Sequence, residues 1–330
     1  MKHGCNCKYT KRMAVVMGIL LLGMGIFFSQ ADAIECGDTL AKGHYKLTED
    51  LTCSHDDGAP ALTLEGGANL DLNGYTVDCN DTDRNGIVLE GRNARVRNGI
   101  IVNCVTGVEI TGDGHHEVLQ MIVENSTREG IRVRSSYNQL IKIEARNNET
   151  RGFRIEGDDN NLVNCLAGSN DRHGFQIDGG SANKIGNSTA FHNGRQGFLI
   201  DGGSDNKISN SSALNSCRDG IEIDNLGSDN SLINNYVTDN GNSSTCEDFG
   251  EEYNPRSYAG IDITAGAQDN IVVNNRTSGN QGCNGVDCVA RDRNLWDENV
   301  EGEGNCDSTN RWINNRVNGE REEPECGQIL

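Results

Sequence analysis

The chain has 330 residues, 29 Lys+Arg against 49 Asp+Glu, and a formal net charge of −20. Its length accommodates one large domain or two ordinary ones, and its acidity excludes a general nucleic-acid binder, which needs a basic face to displace counterions from phosphates. Low hydrophobicity with high charge also describes disordered chains, but here Gly and Asn recur at fixed spacing, which disordered tracts lack.

Residues 1–33 read as a secretory signal peptide. Lys2, Lys8, Lys11 and Arg12 precede an apolar run from Ala14 to Phe28, and Ala31-Asp-Ala supplies small residues for cleavage. The apolar run is shorter than the roughly 20 residues that span a bilayer, so no stable membrane span is expected after cleavage. Removal leaves 25 basic and 48 acidic residues, a net −23. The expected location is secreted, periplasmic or cell-surface. Eleven cysteines remain, and in an oxidising compartment most should pair, with at least one left over. They cluster towards the ends, as staples would, and Cys283-x4-Cys288 lacks the second pair of a zinc site.

Residues 34–84 read as an N-terminal cap and entry coil. From there the chain repeats a glycine followed by alternating apolar residues: Gly86-Ile-Val-Leu, Gly107-Val-Glu-Ile, Gly130-Ile-Arg-Val, Gly152-Phe-Arg-Ile, Gly174-Phe-Gln-Ile, Gly197-Phe-Leu-Ile, Gly220-Ile-Glu-Ile and Gly260-Ile-Asp-Ile. The spacing is near 22 residues, except for one interval of 40. Asparagines recur within each unit. One column is Asn160, Asn183, Asn206, Asn230 and Asn270, and a second, four residues on, is Asn164, Asn187, Asn210, Asn234 and Asn274. A third is Asn170, Asn193, Asn215, Asn240 and Asn280. Asn tolerates left-handed turns and bonds neighbouring backbone, and stacked amides can bond coil to coil. Each unit is therefore three short strands separated by Asn turns.

The expected fold is all-β: a single-stranded right-handed parallel β-helix of about nine to eleven coils, each coil rising roughly 4.8 Å, with disulfide-stapled caps. Repeats occupy 85–284 with a loop insertion at 241–259, and 285–330 forms degenerate last coils and a C-terminal cap. Trp296 and Trp312 are expected to close the core there.

At these repeats, and at Leu70-Asp-Leu-Asn-Gly-Tyr-Thr-Val and Asn305-Cys-Asp-Ser-Thr-Asn-Arg-Trp, the chain resembles secreted right-handed parallel β-helix proteins with pectate-lyase-like or NosD-like repeats. The resemblance spans roughly residues 36–320. It implies the fold and an association with carbohydrate polymers. It does not supply a reaction, because the family is catalytically diverse.

On the glycine-led strand, alternation points one outward column through Arg134, Glu156, Asp178, Asp201 and Asp224. Stacked carboxylates repel and need a cation, protonation or solvent. Three readings follow. The column is a solvated acidic ladder; or Glu156, Asp178 and Asp201 hold Ca²⁺, which takes several oxygen ligands; or Asp178, Asp201 and Asp224 supply a glycosidase pair, with Arg154 orienting an anionic group or acting as base. The insertion carries Phe249, Tyr253 and Tyr258, a candidate sugar-stacking wall over this column. Long loops in compact folds are more often functional than ornamental. No motif marks a lyase base, and net charge opposes an anionic polymer unless Ca²⁺ bridges the two. His115-His-Glu is not spaced for a zinc helix, and His173 and His192 are expected to face solvent.

The expected function is binding or cleavage of extracellular polysaccharide, by lyase or glycoside hydrolase chemistry on the outer strand face. The alternatives are a non-catalytic carbohydrate-binding or adhesive solenoid and, third, a NosD-like periplasmic accessory protein. Clustered His and Met ligands for the last are missing.

Overall fold

A computed structural model describes residues 33–54, 58–80, 83–241, 243–249, 259–282, 291–292, 295–297, 300–301, 305–306, 309–318 and 320–321. The expected signal peptide lies outside these residues, apart from Ala33. Ile34 to Leu330 form one compact unit.

Each glycine-led segment forms a short strand, and these strands stack in parallel into one eleven-stranded sheet from Asp38–Leu40 to Leu295–Asp297. The register is one coil to the next: Phe153↔Phe175, Phe175↔Phe198 and Phe198↔Ile221. The other two strands of each coil complete a three-sided tube. In early coils they run together, as in Glu117–Glu124 and Gln139–Arg146. Later they separate, as in Asn161–Val163 and Leu166–Gly168. The fold is a parallel β-solenoid, as the repeat predicts. Among the described residues the only α-helix is the single short Ser243–Asp248, and no helix is long and apolar enough to cross a membrane.

The core follows from alternation. Ile131, Val133, Phe153, Ile155, Phe175, Ile177, Phe198 and Ile200 are fully buried. Phe153, Phe175 and Phe198 stack face to face, with centroids 4.6 and 4.8 Å apart. The preceding residue has to be glycine in these coils, because a Cβ at Gly174 would lie 2.6 Å from the Gly197 carbonyl oxygen and 2.9 Å from the Asn193 amide.

Asparagine has two separate roles. In the Asn160 column the side chain is buried, and each Oδ1 accepts the backbone N–H of the equivalent residue one coil earlier. The distance is 2.9 Å for Asn160 to Asn183, Asn183 to Asn206 and Asn206 to Asn230. In the Asn164 column the backbone is left-handed, with φ of 57, 51, 51, 57 and 55° at residues 164, 187, 210, 234 and 274, and the side chain is exposed. Gln120 and Lys142 adopt the same conformation in earlier coils, where the asparagine signal is missing. In the third column Asn215 does not fall where the repeat predicts. Ser216 takes the buried position and donates its N–H to Asn240 Oδ1 at 2.9 Å, while Asn215 joins Ser169 and His192 in the left-handed turn.

His116 occupies a ladder position. Its N–H donates to Asn138 Oδ1 at 2.8 Å, its Nδ1 accepts the Ala94 N–H at 3.1 Å, and its Nε2 lies 2.9 Å from the Thr111 carbonyl. One neutral tautomer satisfies both ring contacts. Burial holds the imidazole below its ordinary 6.5. The unfolded chain binds the proton first as pH falls, so this contribution to stability is complete above about 6.5 and is lost as pH drops towards the folded value. His116→Asn should retain an acceptor for Ala94 and flatten the acid side of a urea-midpoint profile. An unchanged profile between pH 7.5 and 5 would refute the assignment.

Among the described residues three disulfides are formed: Cys36–Cys53 near the N-terminal end, Cys79–Cys104 between adjacent coils, and Cys217–Cys246 at the base of the insertion. Cys165 is free and buried, and burial pushes its thiol up to about 12. The pairing expected of the C-terminal cysteines lies outside the described side chains. At that end Trp312 closes the core as expected and donates its indole N–H to Asp297 Oδ2 at 3.2 Å. Trp296 does not. Its register partner is Asp262, an outward position, and its side chain is 36% exposed.

Candidate functional site: the outer face of the glycine-led sheet

The outward acidic column assembles as expected, with Asp178↔Asp201 and Asp201↔Asp224 in register. Its repulsion is relieved from within the chain. Arg154 Nη2 lies 2.6 Å from Asp178 Oδ2 and 2.9 Å from Glu156 Oε1, and Nη1 lies 3.4 Å from the buried Glu129. Arg132 donates to Glu156 at 2.8 and 3.3 Å. Further along, Gln176 Nε2 donates to Asp201 at 2.7 Å, Asn225 Nδ2 donates to Asp201, and Thr264 donates to Asp224 at 2.7 Å. Burial opposes the charge on Arg154, but Asp178, Glu156 and Glu129 outweigh it and raise its proton affinity. That guanidinium stays protonated.

A parallel outward column lies two residues earlier on each strand, through Arg154, Gln176, Leu199, Glu222 and Asp262. Gln176, Leu199, Glu222 and Asp262 are buried although they point out of the core, because neighbouring side chains cover them. Arg151 donates to Gln176, and Gln196 donates to Glu222. Glu222 binds its proton far more tightly than an ordinary carboxyl, through burial first and then the charges of Asp219 and Asp224. Sequence alternation placed Glu222 outward but carried no sign of this burial, which comes from side chains of other coils.

A basic row runs along the other edge. Arg172, Arg195 and Arg218 stack on successive coils through backbone bonds of 2.8 and 3.3 Å. The spacing of Asp-Arg-His-Gly, Gly-Arg-Gln-Gly and Cys-Arg-Asp-Gly carried that signal. Beside this row is His173, buried rather than solvent-facing. Its proton affinity is lowered well below the ordinary value by burial and then by Arg151, Arg195, Arg218 and Arg172. His192 is half-buried, with its ring 5.3 Å from that of Phe249. Phe249 therefore sits at the turn edge, against His192, and its described ring contact is not with the acidic column. Tyr253 and Tyr258 lie outside the described residues.

Together these columns make a strip along the solenoid with a basic edge, a covered floor that is polar except at Leu199, and an acidic edge. Among the described residues no group of three or more His, Cys, Asp or Glu side chains converges as a metal cage.

A right-handed parallel solenoid with a continuous polar strip along its axis defines a class of protein. The family described as right handed beta helix region matches residues 85–237 and 129–301. The chain belongs to that family. No curated protein sequence matches it. Among solved structures, the Dettilon tailspike protein superposes with a TM-score of 0.62 at 12% identity, over 85% of this chain and 59% of that one. The A-module of mannuronan C-5 epimerase AlgE4 from Azotobacter vinelandii gives 0.52 at 14% identity, over 88% and 90%. Tailspike protein 2 of bacteriophage CBA120 gives 0.52 at 11%, over 74% and 39%. The chain thus spans most of the epimerase module but less than two thirds of either tailspike. At these identities the likeness is one of fold.

Proposed function

We propose that the protein is secreted and binds an extracellular polysaccharide along the strip on the glycine-led sheet. The observation that carries this reading is the coil-by-coil repetition of charge: Arg172, Arg195 and Arg218 on one edge, and Asp178, Asp201 and Asp224 on the other. A strip of equivalent groups at one-coil intervals suits a ligand that itself repeats. Three disulfides in the described residues and polysaccharide-related names among the fold relatives support the setting. The local arginine row answers the net-charge objection to an anionic chain, since it is the local field that a bound polymer meets.

One observation favours a catalytic second reading. Burial, and then the charges of Asp219 and Asp224, raise the proton affinity of Glu222, which lies two residues from Asp224 on the same strand. A carboxyl with raised proton affinity is suited to act as a general acid. In this reading Glu222, once the side chains over it move aside, protonates the leaving oxygen as the glycosidic bond breaks, and Asp224, or Asp201 one coil away, either deprotonates the attacking water or itself attacks the anomeric carbon. Arg154 has a positioning role, because it stays protonated between Glu156 and Asp178. Its occupancy there leaves Asp201 and Asp224 as the part of the column open to Ca²⁺.

A screen of pectate, alginate and neutral glycans tests both readings. Retention without turnover supports the binder, new reducing ends support the hydrolase, and unsaturated-product absorbance indicates a lyase. Glu222→Gln should lower turnover by about 10²-fold or more, as loss of a general acid does, while leaving retention in place. Asp201→Ala should weaken retention, and calcium affinity with it where the ion bridges. Absence of both retention and turnover on every glycan would overturn the proposal.

A further inference from the structure

A second concave surface lies away from the strip, at the bend between the other two strands of the later coils. It is a groove of about 800 Å³. One wall is the exposed left-handed row Asn210, Asn234, Asn274 and Asn314. The other is a register column in which Tyr236 pairs with Arg276 and Arg276 with Arg316. The last strand pairing sets Arg321 opposite Arg316.

Three features of this groove are unusual for this chain. Among the described residues no acidic side chain lines it, although acids outnumber bases 49 to 29 overall. Arg276 and Arg316 stand on adjacent strands, where like charges repel, and neither is in an ion pair among the described residues. Tyr236, at the head of the same column, is 47% exposed. In the strip on the other sheet, by contrast, Arg132 and Arg154 each meet carboxylates within 3 Å. The groove arginines are therefore arranged for a charge that the described residues do not supply.

The chemistry of the lining selects the ligand. Guanidinium groups bind planar anions through paired hydrogen bonds. Exposed amides both donate and accept, which suits hydroxyl groups. A tyrosine ring offers a flat apolar face with a polar tip. The asparagines and the arginines recur at the coil rise of about 4.8 Å, with the single tyrosine in line along the axis, so the ligand is extended and carries its anions at intervals. We propose that this groove is a second binding site, for a linear acidic saccharide. Tyr236 lies under one sugar ring, Arg276 and Arg316 engage carboxylate or sulfate groups of the following sugars, and the asparagine row bonds their hydroxyls. The site shares no residue with the strip and stands whether or not the strip binds glycan.

The test is calorimetric titration of the purified protein with three oligosaccharides of equal length: oligogalacturonate, a sulfated oligomer and a neutral one. Both acidic oligomers, or one of them, should bind more tightly than the neutral oligomer, and the two acidic arms identify whether carboxylate or sulfate is preferred. Arg276→Glu/Arg316→Glu should weaken acidic binding at least about tenfold, the value of one charge-assisted contact, and reduce its salt dependence. Tyr236→Ala should weaken it without changing salt dependence. Acidic binding that survives in the arginine double variant belongs to the strip, which separates the two sites. Circular dichroism and the melting temperature report folding, and Arg276→Gln/Arg316→Gln serves in place of a charge-reversed variant that misfolds. No preference for acidic over neutral oligomers, or acidic binding unaltered in a folded arginine double variant, would overturn the proposal.

Discussion

Asn206→Ala should destabilise the solenoid by about 2–5 kcal/mol in urea unfolding, from two buried backbone groups left unsatisfied. The side chain of Asn206 is fully buried. Its Oδ1 accepts the Asn183 N–H at 2.9 Å, and its Nδ2 donates to the Gly180 carbonyl at 2.9 Å. Alanine supplies neither group. Asn187→Gly, in the neighbouring asparagine column, should change stability by less than about 1 kcal/mol. Asn187 contributes a left-handed backbone with φ of 51°, and its side chain is exposed. Equal losses in the two variants would mean that the columns do not have the separate roles described.

Arg154→Met should be the most damaging single change on the outer face, costing about 2–4 kcal/mol at neutral pH. Removing one partner of a buried ion pair strands the other charge, and the upper end of that range is reduced because Arg154 retains some solvent contact. Three carboxylates lose a shared cation: Asp178, Glu156 and the buried Glu129. The deficit should shrink in acid, where the carboxylates carry less charge. Urea titrations of wild type and variant at pH 7 and pH 4 measure it. A variant that keeps wild-type stability but loses glycan retention would reassign Arg154 from internal counter-ion to ligand contact.

The solenoid was legible in the sequence because its determinants are local and periodic. Glycine at Gly152, Gly174 and Gly197, the alternation of Phe175 and Ile177 after it, and asparagine at the turns each act within one coil, and stacking identical coils multiplies the same instruction. Even the outward direction of Asp178, Asp201 and Asp224 follows from a period of two, and the register confirms it.

What each outward side chain meets was decided only by stacking, because neighbours in the solenoid are 21 to 40 residues apart in the chain. The acidic column reads as bare repulsion along the sequence, whereas Arg154, Gln176, Asn225 and Thr264 arrive from adjacent coils to hold it. His173 reads as a turn residue facing water, whereas a coil on either side buries it among arginines. Trp296 reads as core, whereas one register step sets it beside Asp262 on the outside. The groove of Tyr236, Arg276 and Arg316 has no motif, since each residue belongs to a different coil and only parallel pairing aligns them. Local sequence sets the path of each coil, because backbone conformation and burial alternation depend on near neighbours. The chemistry of the surface belongs to the tertiary structure, because charges interact across strands that the chain visits one coil apart.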